Sequence, residues 1–169
     1  MTLNATVLKN NLERAKKENG GVQNLGMSFY KRLFEKYPSV KPLFKTPPEE
    51  QHKKLIASVA TIVNSVDDTE RLVPYLRAMA IRHLKYGTEN GHYDAVAENL
   101  VAVLSNHLSV DGKFSEEDKQ AWQDALKLVN EIMIDAASNP EKYEDELKQH
   151  GFRADGFRDS GPDPWLMEE

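Results

Sequence analysis

The chain has 169 residues, a net charge of −5 and no cysteine. That length suits one domain with a substantial core and is too short for two catalytic domains, and the missing cysteine rules out disulfides, thiolate nucleophiles and Cys-based zinc or iron–sulfur sites. The acidity is uneven, since residues 139–169 hold nine acids and four bases while residues 1–138 hold eighteen of each. A neutral body lacks the basic face that phosphate backbones require, so no nucleic-acid partner is expected. No run approaches the roughly 20 apolar residues of a membrane span, and Met1 to Gly20 is polar where a secretory leader would be apolar. The expectation is a soluble, cytoplasmic protein without membrane contact.

In chain order the sequence reads as helices. Asn4 to Asn19 carries few apolar residues, mainly Val7, Leu8 and Leu12, and predicts a short, mostly exposed helix ended by Gly20-Gly21. Val22 to Tyr37 follows, with Met27, Tyr30, Phe34 and Tyr37 at helical offsets and Leu33 alongside, stopped by Pro38. Pro38 to Phe44 is too rich in proline for a strand and fits a helical turn that leaves Phe44 at a corner, before Thr46-Pro47-Pro48 breaks the chain. From Glu49 to Val66 the stripe is Leu55, Val59, Ile62 and Val66, and one turn earlier the same face carries the polar Gln51.

Asp67 to Gly87 has acids near its start, bases at its end and a glycine just beyond, which matches the helix dipole and a glycine stop. Leu72, Leu76, Met79 and His83 recur at offsets of four, three and four, so the imidazole of His83 lies on the apolar stripe. A neutral imidazole there has one nitrogen as donor and the other as a lone pair suited to a metal, although such a histidine taken alone is more often a core residue bonded to a carbonyl. Tyr93 to Leu108 follows with Val96, Leu100, Val103 and Leu104 inward. Asp111-Gly112 reads as a turn, because the other ligands of a calcium loop are missing. Ser115 opens a helix over Glu116 to Ala137 with Trp122, Leu126, Val129 and Met133 as its stripe.

After Asn139-Pro140 the composition shifts. Glu141 to His150 fits one more polar helix closed by Gly151, and Gly-Phe-Arg-Ala-Asp155 is followed by Gly-Phe-Arg-Asp-Ser160, an imperfect repeat. Two Phe, Trp165 and Leu166 in a polar extension are expected to dock on a surface, the protein's own or that of a partner or second copy. The fold class is therefore all-α, with six or seven helices over residues 1–138 and an acidic extension over 139–169.

Taken together these stretches resemble a globin, in particular the single-domain bacterial haemoglobins and the haem domain of flavohaemoglobins. The resemblance is carried by Phe-Tyr-Lys-Arg-Leu-Phe-Glu-Lys-Tyr-Pro38 running into Val-Lys-Pro-Leu-Phe44, by Gln51 with Leu55, by Leu-Val-Pro74 ahead of Ile-Arg-His83, and by His92-Tyr93, over roughly residues 5 to 138. It implies a globin-like helical fold around haem b, with His83 as the iron ligand, Phe44 wedging the porphyrin, and Tyr30 with Gln51 as the polar pair over the ligand face. Leu55, Val59 and Val96 match pocket walls. Of the other histidines, His52 should point about 100° away from the pocket face, and His92, His107 and His150 should be solvated at loops or helix ends.

The resemblance implies O₂, CO and NO as ligands, and the expected function is reversible O₂ binding for transport, storage, delivery or sensing. Two alternatives stand beside it: a nitric oxide dioxygenase or weak peroxidase that needs an external reductase, and a helical interaction module without haem in which His83 is structural. One departure weighs on the enzyme reading. In flavohaemoglobins a glutamate on the last globin helix bonds the tyrosine matching Tyr93, and the corresponding position here is Ala137, with Glu131 and Asp135 nearby but not in that place.

Overall fold

The computed structural model describes residues 3–18, 20–44, 48–109 and 113–158. Seven α-helices account for most of them: α1 Ala5–Lys17, α2 Gly21–Lys36, α3 Pro48–Ser65, α4 Thr69–Leu84, α5 Asn90–Leu108, α6 Glu116–Ser138 and α7 Glu144–Gln149. Two 3₁₀ turns, Pro38–Leu43 and Pro140–Tyr143, link α2 towards α3 and α6 to α7. Among the described residues there is no strand, only an isolated antiparallel bridge between Phe152 and Arg158. No described helix is long and apolar enough to cross a membrane. The Asp111-Gly112 turn, Thr46-Pro47, Trp165 and Leu166 lie outside the described residues.

Local chemistry sets the helix starts. The Asn4 side chain accepts from the Val7 amide, Asp68 accepts from Arg71, and Ser115 and Asp118 cap each other reciprocally at the head of α6. At α5 the cap is less conventional, with His92 Nδ1 accepting from the Glu89 amide at 3.0 Å while the Glu89 side chain accepts in return.

Two apolar clusters form the interior. The larger joins α1, α2, α3, α5 and the start of α6 around Leu8, Phe29, Leu33, Val63, Leu104 and Trp122. The smaller joins α4 and α6 around Leu72, Leu76, Met79, Val129 and Met133, and Ile62 of α3 packs against both. Two helices differ from the sequence expectation. Although few in number, the apolar residues of α1 are deeply placed, with Leu8, Leu12 and Ala15 all buried, so this helix is a core element and not a mostly exposed one. On α2 the buried face runs through Leu25, Phe29 and Leu33, and Met27 at the head of the expected stripe is 51% exposed.

The composition shift at residue 139 does not interrupt the packing. Tyr143, Leu147 and Phe152 are buried in the smaller cluster with α4 and α6, and Leu147 is 0% exposed. Arg77 of α4 pairs with Glu146 and lies 4.1 Å over the Tyr143 ring, while the Tyr143 hydroxyl donates to Asp135 of α6. The extension as far as Arg158 therefore lies along the outer side of α4, and its phenylalanines dock on the protein's own surface.

Candidate functional site

The candidate residues lie at the end of α4 and at the crossing of α2 with α3. On α4, Leu72, Leu76 and Met79 are buried, and the same stripe carries His83, which is partly buried at the last turn. Its side chain folds back along the helix and Nδ1 lies 2.6 Å from the Met79 carbonyl oxygen. Burial pulls the imidazole down to a pKa of about 4; the bond to Met79 works against this and the charge of Arg82 adds to it. At neutral pH the ring is uncharged. With the Nδ1 proton given to a carbonyl, the lone pair resides on Nε2, the arrangement in which a metal-ligating histidine is commonly held.

At the other helix pair, α2 and α3 come close because position 26 is glycine. A Cβ on Gly26 would fall 2.9 Å from the Cβ of His52, so any larger residue would separate the helices. That approach places Tyr30, which is 9% exposed, under the first turn of α3. Its hydroxyl donates to the backbone carbonyl of Gln51 at 3.3 Å, long for an O–H···O bond, and burial raises its pKa well above the ordinary phenol value. Tyr30 therefore stays protonated, a donor held by a weak bond. Phe44 meets Tyr30 edge to face with centroids 5.4 Å apart, and Phe34 meets Phe44 in the same manner.

Leu55 and Val96 are partly buried against the larger cluster and Val59 is buried within it. Tyr30, Phe44, Leu55, Val59 and Val96 thus gather around one cluster, with the Gln51 carbonyl bonded to Tyr30 at its edge, and Met79, whose carbonyl meets His83, belongs to the other. The residues present suit a haem. A neutral imidazole of fixed tautomer, partly buried aromatic and aliphatic side chains, and a protonated phenol form a donor set for a flat apolar iron complex.

Two histidines are not where the sequence suggests. His107, expected in solvent, is buried on α5 with Nε2 3.1 Å from the Ala15 carbonyl, so His83 is not the sole inward histidine. The last turn of α5 passes beneath the end of α1, where that carbonyl needs a donor. His52, expected to point away, stacks on Tyr30 with ring centroids 5.4 Å apart and planes 21° from parallel, and burial lowers its pKa. His92 stands at the head of α5 and His150 is exposed, as expected for helix ends. On the α5 side, Tyr93 is buried and its hydroxyl pKa is pushed up to about 12 by burial, with no carboxylate contributing. Ala137 packs into the smaller cluster.

Comparison with known proteins agrees with this architecture. Residues 27–133 match the Globin family model. An uncharacterized globin-like protein of Aquifex aeolicus is 30% identical over 105 residues, covering 62% of this chain and 73% of that protein. A flavohemoprotein of Chromobacterium violaceum is 30% identical over 110 residues, covering 63% of this chain but 26% of its own length, so the chain spans about a quarter of that relative. Among solved structures, a bacterial globin from Campylobacter jejuni superposes with a TM-score of 0.69 at 24% identity, over 82% of this chain and 96% of that one, which shows the shared fold. With the family match covering well over half of the sequence and the helices arranged as in a bacterial globin, the chain belongs to the globin family.

Proposed function

We propose that the chain binds one haem b through Nε2 of His83 and takes up O₂ reversibly, with the Tyr30 hydroxyl and the Gln51 side-chain amide as donors to the ligand. The observation that carries this reading is the 2.6 Å contact of His83 Nδ1 with the Met79 carbonyl on an otherwise apolar stripe, which holds a proton on Nδ1 and, in the neutral ring, leaves the lone pair on Nε2. The haem supplies the iron that accepts the diatomic ligand. Phe44, Leu55, Val59 and Val96 provide apolar contact, and no cysteine is present for covalent attachment. CO and NO are further ligands of the same site.

Tyr93 favours ligand binding over turnover as a dioxygenase. Its hydroxyl is raised by burial alone, and an alanine fills the place from which a glutamate would reach it in the flavohaemoglobin pattern. The test is an absorption spectrum of the purified ferrous protein with and without carbon monoxide, set beside His83→Ala. The expected result is a haem spectrum that responds to carbon monoxide and is lost or labile in the variant. A normal spectrum in His83→Ala overturns the assignment.

A further inference from the structure

The GFR repeat packs directly on the helix that carries His83. Gly156 has φ +88° and lies against the α4 backbone so closely that a Cβ would fall 2.2 Å from the Ala78 carbonyl oxygen and 2.8 Å from the Arg82 nitrogen. Those two atoms belong to the residues immediately before Met79 and His83, the pair whose contact fixes the imidazole. On either side of Gly156 the turn is fastened to the same helix end. The Asp155 carboxylate accepts from Lys85 at 3.1 Å and from the Phe157 amide at 3.2 Å, and the Phe157 ring lies 5.5 Å below the guanidinium of Arg82, itself only 3% exposed.

We propose that the turn Phe152 to Arg158 is a positioning clamp on the last turn of α4, with Gly156 as its fulcrum and the Asp155–Lys85 pair as its latch, and that it sets where His83 presents Nε2. The proposal rests on His83 being the haem ligand. A helix end left to fray would let the imidazole tilt and exchange partners; one held on its outer side by backbone contact cannot retreat without moving the whole extension. None of these residues is among those proposed to line the pocket. Their effect passes through His83 alone, so they belong to positioning and not to the pocket.

The test uses the full chain carrying Gly156→Ala, and a milder pair at the exposed latch, Lys85→Gln against Lys85→Arg. Three quantities are read: amide hydrogen exchange over residues 79–86 in haem-free protein, the iron–histidine stretching band of the ferrous haem form, and the carbon monoxide association rate. Gly156→Ala is expected to speed exchange and displace the band, and to change the association rate by roughly fivefold or more. Lys85→Gln should move the same three in the same direction by less, and Lys85→Arg should leave them near wild type. A Gly156→Ala protein that melts earlier but keeps all three unchanged overturns the clamp. Should that variant not fold, indistinguishable Lys85→Gln and Lys85→Arg proteins overturn it instead. The exchange measurement needs no haem, so failure of His83 as ligand shows in the spectrum of His83→Ala while the clamp is judged separately.

Discussion

The rings of Tyr30 and His52 lie nearly parallel, their centroids 5.4 Å apart, with the Tyr30 hydroxyl directed to the Gln51 carbonyl and not to its neighbour's imidazole. The stack fixes the plane of the phenol, and the long hydrogen bond leaves its proton easy to redirect. O₂ in the site would draw more negative charge than carbon monoxide, so donors aimed at it favour O₂ by electrostatics. A hydrogen bond to a charged acceptor is worth about 1.5–3 kcal/mol, hence roughly ten- to a hundredfold in release rate. Tyr30→Phe should therefore speed O₂ release by that order, with Gln51→Leu in the same direction and carbon monoxide release little changed. Stopped-flow measurement decides it, and an unaltered O₂ rate in Tyr30→Phe removes the donor role.

His52 makes a separate prediction. Partial burial lowers its pKa, and the ring serves as a plate for the phenol. His52→Ala should leave the haem spectrum intact and change O₂ release by less than Tyr30→Phe does, because it loosens the donor without deleting it. A larger effect than that of Tyr30→Phe would mean that His52 contacts the ligand itself.

Protonation of His83 gives a pH dependence with a definite sign. The folded pKa is about 4 against about 6.5 in an unfolded chain. Between those values the unfolded form binds the extra proton, so the haem-free protein should be unaffected above pH 6.5 and lose stability as pH falls towards 4, by an amount on the order of 3 kcal/mol. His52 is shifted the same way, so the contribution of His83 is read as the difference from His83→Leu. Urea unfolding across this range provides the measurement, and parallel pH profiles for the two proteins would contradict it.

His107 and Leu147 test structure without function. His107→Ala should cost about 1–2 kcal/mol by stranding the Ala15 carbonyl. Leu147→Ala should cost about 2–5 kcal/mol, the usual range for emptying a fully buried leucine site. Thermal or urea melts read both, and neither should abolish haem uptake. A loss from Leu147→Ala within half a kcal/mol would show that the extension does not share the core.

Periodicity places α1 to α6 to within a few residues, because stripes such as Leu72, Leu76, Met79 and Leu100, Val103, Leu104 answer to one cylinder at a time. What periodicity could not supply is contact between cylinders. His107 reads as a helix-end residue in one dimension, and its partner at Ala15 lies 92 residues away. The stack of His52 on Tyr30 depends on how closely two helices cross, which is decided at Gly26, a residue that leaves no mark in a hydrophobic pattern. The inward face of α2 departs from its hydrophobic stripe for a related reason. Tyr30 lies at the margin of that face, and a stripe drawn through it carried Met27 into solvent. The acidic composition after Asn139 marks the extension, and apolar residues within it, expected to dock on a surface, join it to the core.

The repeated Gly-Phe-Arg has lost its sequence equivalence in three dimensions. Phe152 is buried and Phe157 is not, yet each ring is covered by the arginine of the opposite copy: Arg158 lies 5.5 Å over Phe152 and Arg153 lies 6.0 Å over Phe157. Two tandem copies have become a crossed pair in which each half supplies the lid of the other. Such a pair is hard to edit one unit at a time, since deleting the second copy removes Arg158 from over Phe152 and deleting the first leaves Phe157 to Arg82 and Lys85 alone. Its inheritance should therefore be all or nothing, with related chains carrying both copies or neither.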